Sequence, residues 1–470
     1  MSNSHIPLPK HAVLLSRRTL LQAAGTALAM SPAARVWAQA APAGSAAQAP
    51  GQGRLVVVLL RGAYDGLSAL VPYADADYYS GRPNIAVATP DGSANTALKL
   101  DNTFALHPAL APLMPLWQQG VLSFVPSAGL SKPNRSHFAA QYDMEIAQSG
   151  KTSATPGWLN QLSALSSKTT IDAKGVSAIG VGEANPAILA GDAPTQLIPR
   201  GQAAERTGVL ANDKTRQALL DLYAGNDKIS EAFRQGTGNR MQSADILRGE
   251  KAAMDGLKTG PKSNNINPSA MASSLDKDGT PVSANAQNAQ MLAASNGAAD
   301  PVGLQLDAQH LATLMRADRK LRIGFLSAGG WDTHVNQGNA VGQLANNLGN
   351  LGRALAQLRQ DFAAPGDVVV VMSEFGRTAL ENGTKGTDHG FGNAMWLIGN
   401  GIQGGRWHGQ WTGLARGNLN EARDLPAHHD YRAVLAQVLQ SSFALSDTAL
   451  AKLLPGASWD TRLNGLVRKS

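Results

Sequence analysis

The chain has 470 residues, 43% hydrophobic and 16% charged, and contains no cysteine. That composition supplies a full core and excludes global disorder, while the lack of cysteine excludes a disulfide framework, a thiolate nucleophile and any cysteine-held zinc or iron–sulfur centre. The formal charge of +7 owes much to the first forty residues, which hold Lys10, Arg17, Arg18 and Arg35 and no acid. Residues 41–470 carry about +3 with no long basic run, which argues against a nucleic-acid partner.

In chain order, Ser16-Arg17-Arg18-Thr19-Leu20-Leu21 precedes an apolar stretch from Ala23 to Met30, and Ala38-Gln39-Ala40 puts small residues where a signal peptidase cuts. These features predict a twin-arginine signal peptide over residues 1–40, cleaved after Ala40. The export machinery of that route is then a partner, and the mature protein is periplasmic or secreted. No later stretch has 18 uninterrupted apolar residues, so no transmembrane segment is expected in the mature chain. Residues 41–54 read as a flexible leader.

Leu55–Leu60 is a continuous apolar run that fits a strand buried on both faces, as in a parallel sheet. Similar runs recur at 121–126, 178–182, 321–326, 368–372 and 395–398. Val341, Leu344, Leu348, Leu351, Leu355, Leu358 and Phe362 alternate spacings of three and four, one apolar stripe of a helix that packs on a sheet. The strand–helix–strand order from Leu321 to Met372 reads as a right-handed crossover unit. Residues 236–305 are rich in Asn, Ser, Ala and Gly, and stretches such as 262–268 and 276–281 hold too little apolar surface to order themselves. They read as a low-complexity insertion in a single α/β domain over 55–470, with a linker between two domains as the alternative.

Polar residues gather where strands end, the ligand crevice of an open parallel sheet. Asp65 follows the first strand, although Asp65-Gly66 also reads as a plain turn. Ser136 stands before an apparent helix start, where a serine is either an N-cap or a hydroxyl that a bound cation activates. Asp332 and His334, two apart after a glycine pair, point the same way if extended. Glu374 follows the run 368–372, and Asp388 and His389 lie in a glycine-bracketed turn. Carboxylates this close repel unless protonated or shared by a cation, so with two histidines at hand a mixed oxygen/nitrogen divalent-metal site is expected. His428-His429-Asp430 reads as structural, with Asp430 an N-cap.

The segments 59–67, 106–110, 135–138, 331–334, 373–377, 387–390 and 401–405 resemble, in order, those of an exported bacterial family known as domain of unknown function 1501. That family is in turn similar to the alkaline phosphatase/sulfatase superfamily. The resemblance implies a doubly wound, mostly parallel sheet flanked by helices, and a metal-dependent hydrolase of small anionic phosphate or sulfate esters. It implies Ser136 as nucleophile, Arg135 and Arg377 as holders of anionic oxygens, and one or two divalent cations (zinc, manganese, magnesium or calcium). Asp332, His334 and His389 would hold one cation, and Asp65, Ser136 and Glu374 the other. Glu374-Phe375 stands where the superfamily has Asp-His, which removes one ligand. A non-catalytic exported binding or assembly protein on the same fold is the alternative.

Overall fold

All six residues of Leu55–Leu60 are buried, and each fully buried aliphatic side chain of this kind contributes roughly 1.5–3 kcal/mol of transfer free energy. The computed structural model describes residues 52–150, 155–167, 177–257 and 281–468. The expected export signal over residues 1–40, residues 41–51 of the expected leader, and the stretches 262–268 and 276–280 lie outside the described residues.

Among the described residues a mixed sheet is built from β1 (Leu55–Leu60), β2 (Leu122–Gly129), β3 (Ser177–Val181), β4 (Thr195–Ile198), β5 (Leu321–Ala328), β6 (Val368–Ser373), β7 (Asn393–Ile398), β8 (Arg406–Trp407) and β9 (His429–Asp430). Its order is β8-β2-β7-β6-β1-β5-β3-β4, with β9 also on β2. All pairs are parallel except those of β7, which runs against both β6 and β2. β1 lies between β5 and β6, with Val57 opposite Phe325 on one side and Val370 on the other. The 321–372 unit therefore crosses over β1 rather than joining neighbours. The edge strand β4 has a single buried residue, hence no apolar run to announce it.

The helices that matter to the site are α1 (His137–Ile146), α2 (Trp158–Ser167), α3 (Lys228–Leu257), α4 (Pro281–Ser295), α5 (Leu304–Ala317), α6 (Gln343–Asp361) and α7 (Tyr431–Phe443). Val56, Val58 and Leu60 of β1 belong to one core with Leu311 of α5 and Leu344, Leu348 and Leu355 of α6. Leu55, Val57 and Leu59 belong to another with Trp158 and Leu162 of α2 and Val434 and Leu435 of α7. Alternate side chains of one strand thus feed two cores, and helices cover both faces. The α6 stripe is buried as expected except for Val341, which precedes the helix and is 61% exposed; Gly342, at φ +121°, is the N-cap. Residues 236–257 and 281–295 of the expected insertion are helical, and α4 ends on buried Ala294 and Ser295. Asp430 caps α7 by accepting from Arg432 N. His429 Nε2 accepts from Gln410 N, and its Nδ1 faces Asp460 Oδ2 at 2.7 Å.

Candidate metal centre

Leu60 pairs with both Ala328 and Ser373, so residues 61–65, 329–334 and 374–377 leave the sheet side by side from the carboxyl ends of three adjacent strands. Gly62 makes that approach possible. Its φ is +109°, and a Cβ there would sit 2.9 Å from Asp332 N; its own N–H donates to Glu374 Oε1 at 2.7 Å.

Three imidazoles meet at one carboxylate. Asp332 Oδ1 lies 2.9 Å from His334 Nε2, 3.1 Å from His389 Nε2 and 3.4 Å from His137 Nε2, and accepts from the Arg377 guanidinium. His389 Nε2 is 3.0 Å from Nε2 of both His137 and His334. Each opposite ring nitrogen faces an acceptor: His137 Nδ1 meets Glu374 Oε1 at 2.8 Å, His334 Nδ1 meets Asp388 Oδ1 at 3.2 Å, and His389 Nδ1 meets the Arg135 carbonyl at 3.0 Å. Those partners require a proton on every Nδ1, so each neutral ring turns its Nε2 lone pair inward. Lone pairs and a carboxylate oxygen converging in this way repel one another unless a proton or a cation sits among them. Ligand atoms about 2.05 Å from a tetrahedral zinc would be about 3.3 Å apart, close to the spacing seen. Among the described residues, His137, Asp332 and His389 form one group compatible with a metal ion, their ligand atoms within 4.8 Å of one another.

Electrostatics follow from the same contacts. Burial lowers the His137 pKa, but its bonds to Asp332 and Glu374 outweigh burial and push it up to about 9. Burial would raise Asp332, yet the three histidines and Arg377 hold it well below the usual carboxylate range. His389 is pushed down by burial, helped by the positive Arg377 and His137 and resisted by Asp332. Burial opposes ionisation of Glu374, but His137 and Gln141 hold its pKa low. A proton on His137 is one way of relieving the convergence of these groups on Asp332.

The structure gathers Asp332, His334 and His389 and redistributes the other expected residues. Glu374 is fully buried behind His137, accepting from Gly62 N, Gln141 and Ser373 as well. Asp388 backs His334 and accepts from Asn382. Neither faces the convergent lone pairs, because each already holds a ring from outside. Asp65 is a correction of another kind: both its oxygens bind Arg82, and Ser68 and Gln337 donate to it. Arg377 is sealed in, donating to the carbonyls of Gly62, Ala63, Trp331 and Thr387 besides Asp332. Arg135 pairs with Glu421 and Asp424. The Arg377 guanidinium is thus spent on protein partners, whereas Arg135 bonds through Nη2 and its buried Nε has no partner among the described residues. Ser136 is the N-cap of α1, exposed, with no side-chain capping bond.

His137 is the residue that the sequence reading passed over. It lies inside the 135–138 segment, next to a serine whose capping position drew the attention. Phe375, which removes an expected ligand, packs instead on His137 and His389 with ring centroids 4.8 and 5.1 Å away. Asp332 and His334 line a pocket of about 90 Å³ together with Val335, Gln343 and Asn288, Gln290 and Met291 of α4. That volume matches about three waters or one tetrahedral anion.

No curated protein matches the chain. Among solved structures, that of TAB5 alkaline phosphatase, a mutant with magnesium bound in its M3 site, is similar at 12% identity. The alignment covers 84% of this chain and 98% of that one, at a TM-score of 0.31, a likeness too shallow to bear on the site. The family model described as "Protein of unknown function (DUF1501)" matches residues 52–454, a span that holds every residue of the centre, and the chain belongs to that family.

Proposed function

We propose that the protein is an exported, divalent-cation-dependent hydrolase of small phosphate or sulfate esters with Ser136 as its nucleophile. The observation that carries this reading is the convergence of three Nε2 atoms on Asp332 Oδ1 at the carboxyl ends of the central strands. His137, Asp332 and His389 would hold the cation, with His334 on the side of the pocket. A cation there supplies Lewis acidity toward an ester oxygen and favours the ionised form of a nearby hydroxyl. Ser136 directly precedes His137, and its hydroxyl is not used in capping. The unpaired N–H groups at the start of α1 offer partners to anionic oxygens. Arg377 acts through Asp332, and Arg135 through the carbonyl that orients His389. The pocket has room for the phosphoryl or sulfuryl group, so a larger alcohol portion would extend into solvent. Residues 1–40 supply the export signal.

A second reading, a cation-binding exported protein without catalysis, is favoured by the full commitment of Arg377 to protein partners. Elemental analysis of the purified protein followed by assay on 4-nitrophenyl phosphate, bis(4-nitrophenyl) phosphate and 4-nitrophenyl sulfate separates the two. Cation-dependent turnover that disappears in Ser136→Ala supports the hydrolase. A bound cation without turnover supports the second reading, and protein that takes up no cation defeats both. Export is tested by N-terminal sequencing of the periplasmic form, with Ala41 expected first.

A further inference from the structure

We infer that the centre takes a single cation of the zinc–cobalt–nickel class, and that the buried Arg82 guanidinium permanently occupies the role of a second cation beside Asp65. This rests on the cation-site reading above and specifies its stoichiometry and metal class.

Three carboxylates stand at the exits of β1, β5 and β6, which on charge alone could hold two cations. Asp65 is 0% exposed, with Oδ2 2.6 Å from Arg82 Nη1 and Oδ1 3.2 Å from Arg82 Nη2. Its Oδ2 also accepts from Ser68 and Gln337, each at 2.7 Å. Arg82 uses its donors completely: besides Asp65 they reach Ser68 Oγ and the carbonyls of Thr378 and Ala379. A guanidinium has five N–H donors in a fixed fork, and all five have acceptors here. A metal ion at Asp65 would have to expel a desolvated, fully bonded cation whose charge already cancels that of the carboxylate. Glu374 is closed in the same way, its Oε1 held by Gly62 N, Gln141 and His137 and its Oε2 by Ser373. Asp332 is left as the one strand-exit carboxylate on which three imidazole Nε2 atoms converge. Two imidazole nitrogens and one carboxylate oxygen, from His137, His389 and Asp332, form a mixed nitrogen/oxygen set that suits borderline transition metals, whereas magnesium and calcium take sets of oxygen ligands.

The test uses the full chain, stripped with a chelator and re-equilibrated separately with Zn²⁺, Co²⁺ and Mg²⁺. The expected result is one equivalent of zinc, visible d–d bands with cobalt that zinc abolishes, and no displacement of either by a large excess of Mg²⁺. The paired variant Asp65→Asn/Arg82→Gln removes both buried charges together and should still bind one equivalent. Two equivalents in the wild type, loss of an equivalent in the paired variant, or displacement of zinc by Mg²⁺ overturns the inference while leaving a cation centre in place. If the paired variant does not fold, the wild-type stoichiometry and competition decide. Absence of any bound metal, or zinc uptake unaffected by His389→Ala, instead defeats the underlying reading.

Discussion

Phe375 lies against the His137 imidazole with ring centroids 4.8 Å apart and planes at 32°, and it touches His389 as well. It is buried, so a position that resemblance would fill with a ligand is instead a wall against which two imidazoles of the centre pack. Phe375→Ala should cost about 3–5 kcal/mol in denaturant unfolding. Phe375→Leu should cost less but still weaken zinc retention, because the rings lose their flat support. Unchanged retention in the leucine variant would show that the wall serves stability alone.

Glu374 orients His137 from behind, so on the cation-site reading proposed Glu374→Gln should weaken zinc binding about 10–100-fold without abolishing it. Asp332→Ala should abolish it. Competition titration against a chelating dye reads both, and equal loss in the two variants would make Glu374 a direct ligand.

Arg61 is buried between Glu145 and Glu183 and donates to Gln141, which also reaches Glu374. Arg61→Ala strands two buried carboxylates and should destabilise the fold by about 3–5 kcal/mol. Adding Glu145→Gln and Glu183→Gln should recover part of that loss in chemical denaturation. No recovery would mean that the side chain matters for packing rather than charge.

The pH dependence has a definite sign. The His137 pKa is raised in the metal-free fold from 6.5 to about 9. A raised folded-state value gives stability fully present below the unfolded pKa and lost as pH climbs through the folded one. Metal-free protein should therefore lose thermal stability between about pH 6.5 and 9, and zinc-loaded protein, with no proton on Nε2, should lack that component. Parallel melting curves of the two forms across this range check it.

Ser136→Ala should leave stability within about 0.5 kcal/mol of wild type, since the serine makes no capping bond; a bonded N-cap would cost about 1 kcal/mol. Ester turnover, on the reading proposed, should vanish. A large stability loss would reveal a structural role for the hydroxyl.

Much of the scaffold could be read from residue order. Apolar runs long enough to be buried on both faces specify the central strands, a three-and-four spacing specifies α6, and carboxylates and histidines fall at the strand exits. Strand adjacency could not be read, because β1 enters between β5 and β6 from more than 250 residues upstream. Roles within the polar clusters were equally hidden. Asp65, Asp332 and Glu374 are alike in local sequence, and what separates them is partners: Arg82 for the first, three imidazoles for the second, and for the third His137, 237 residues away. Local sequence brings an ionisable group to the crevice, but which neighbours neutralise it depends on packing between distant segments. Only the folded chain decides which lone pairs remain unsatisfied.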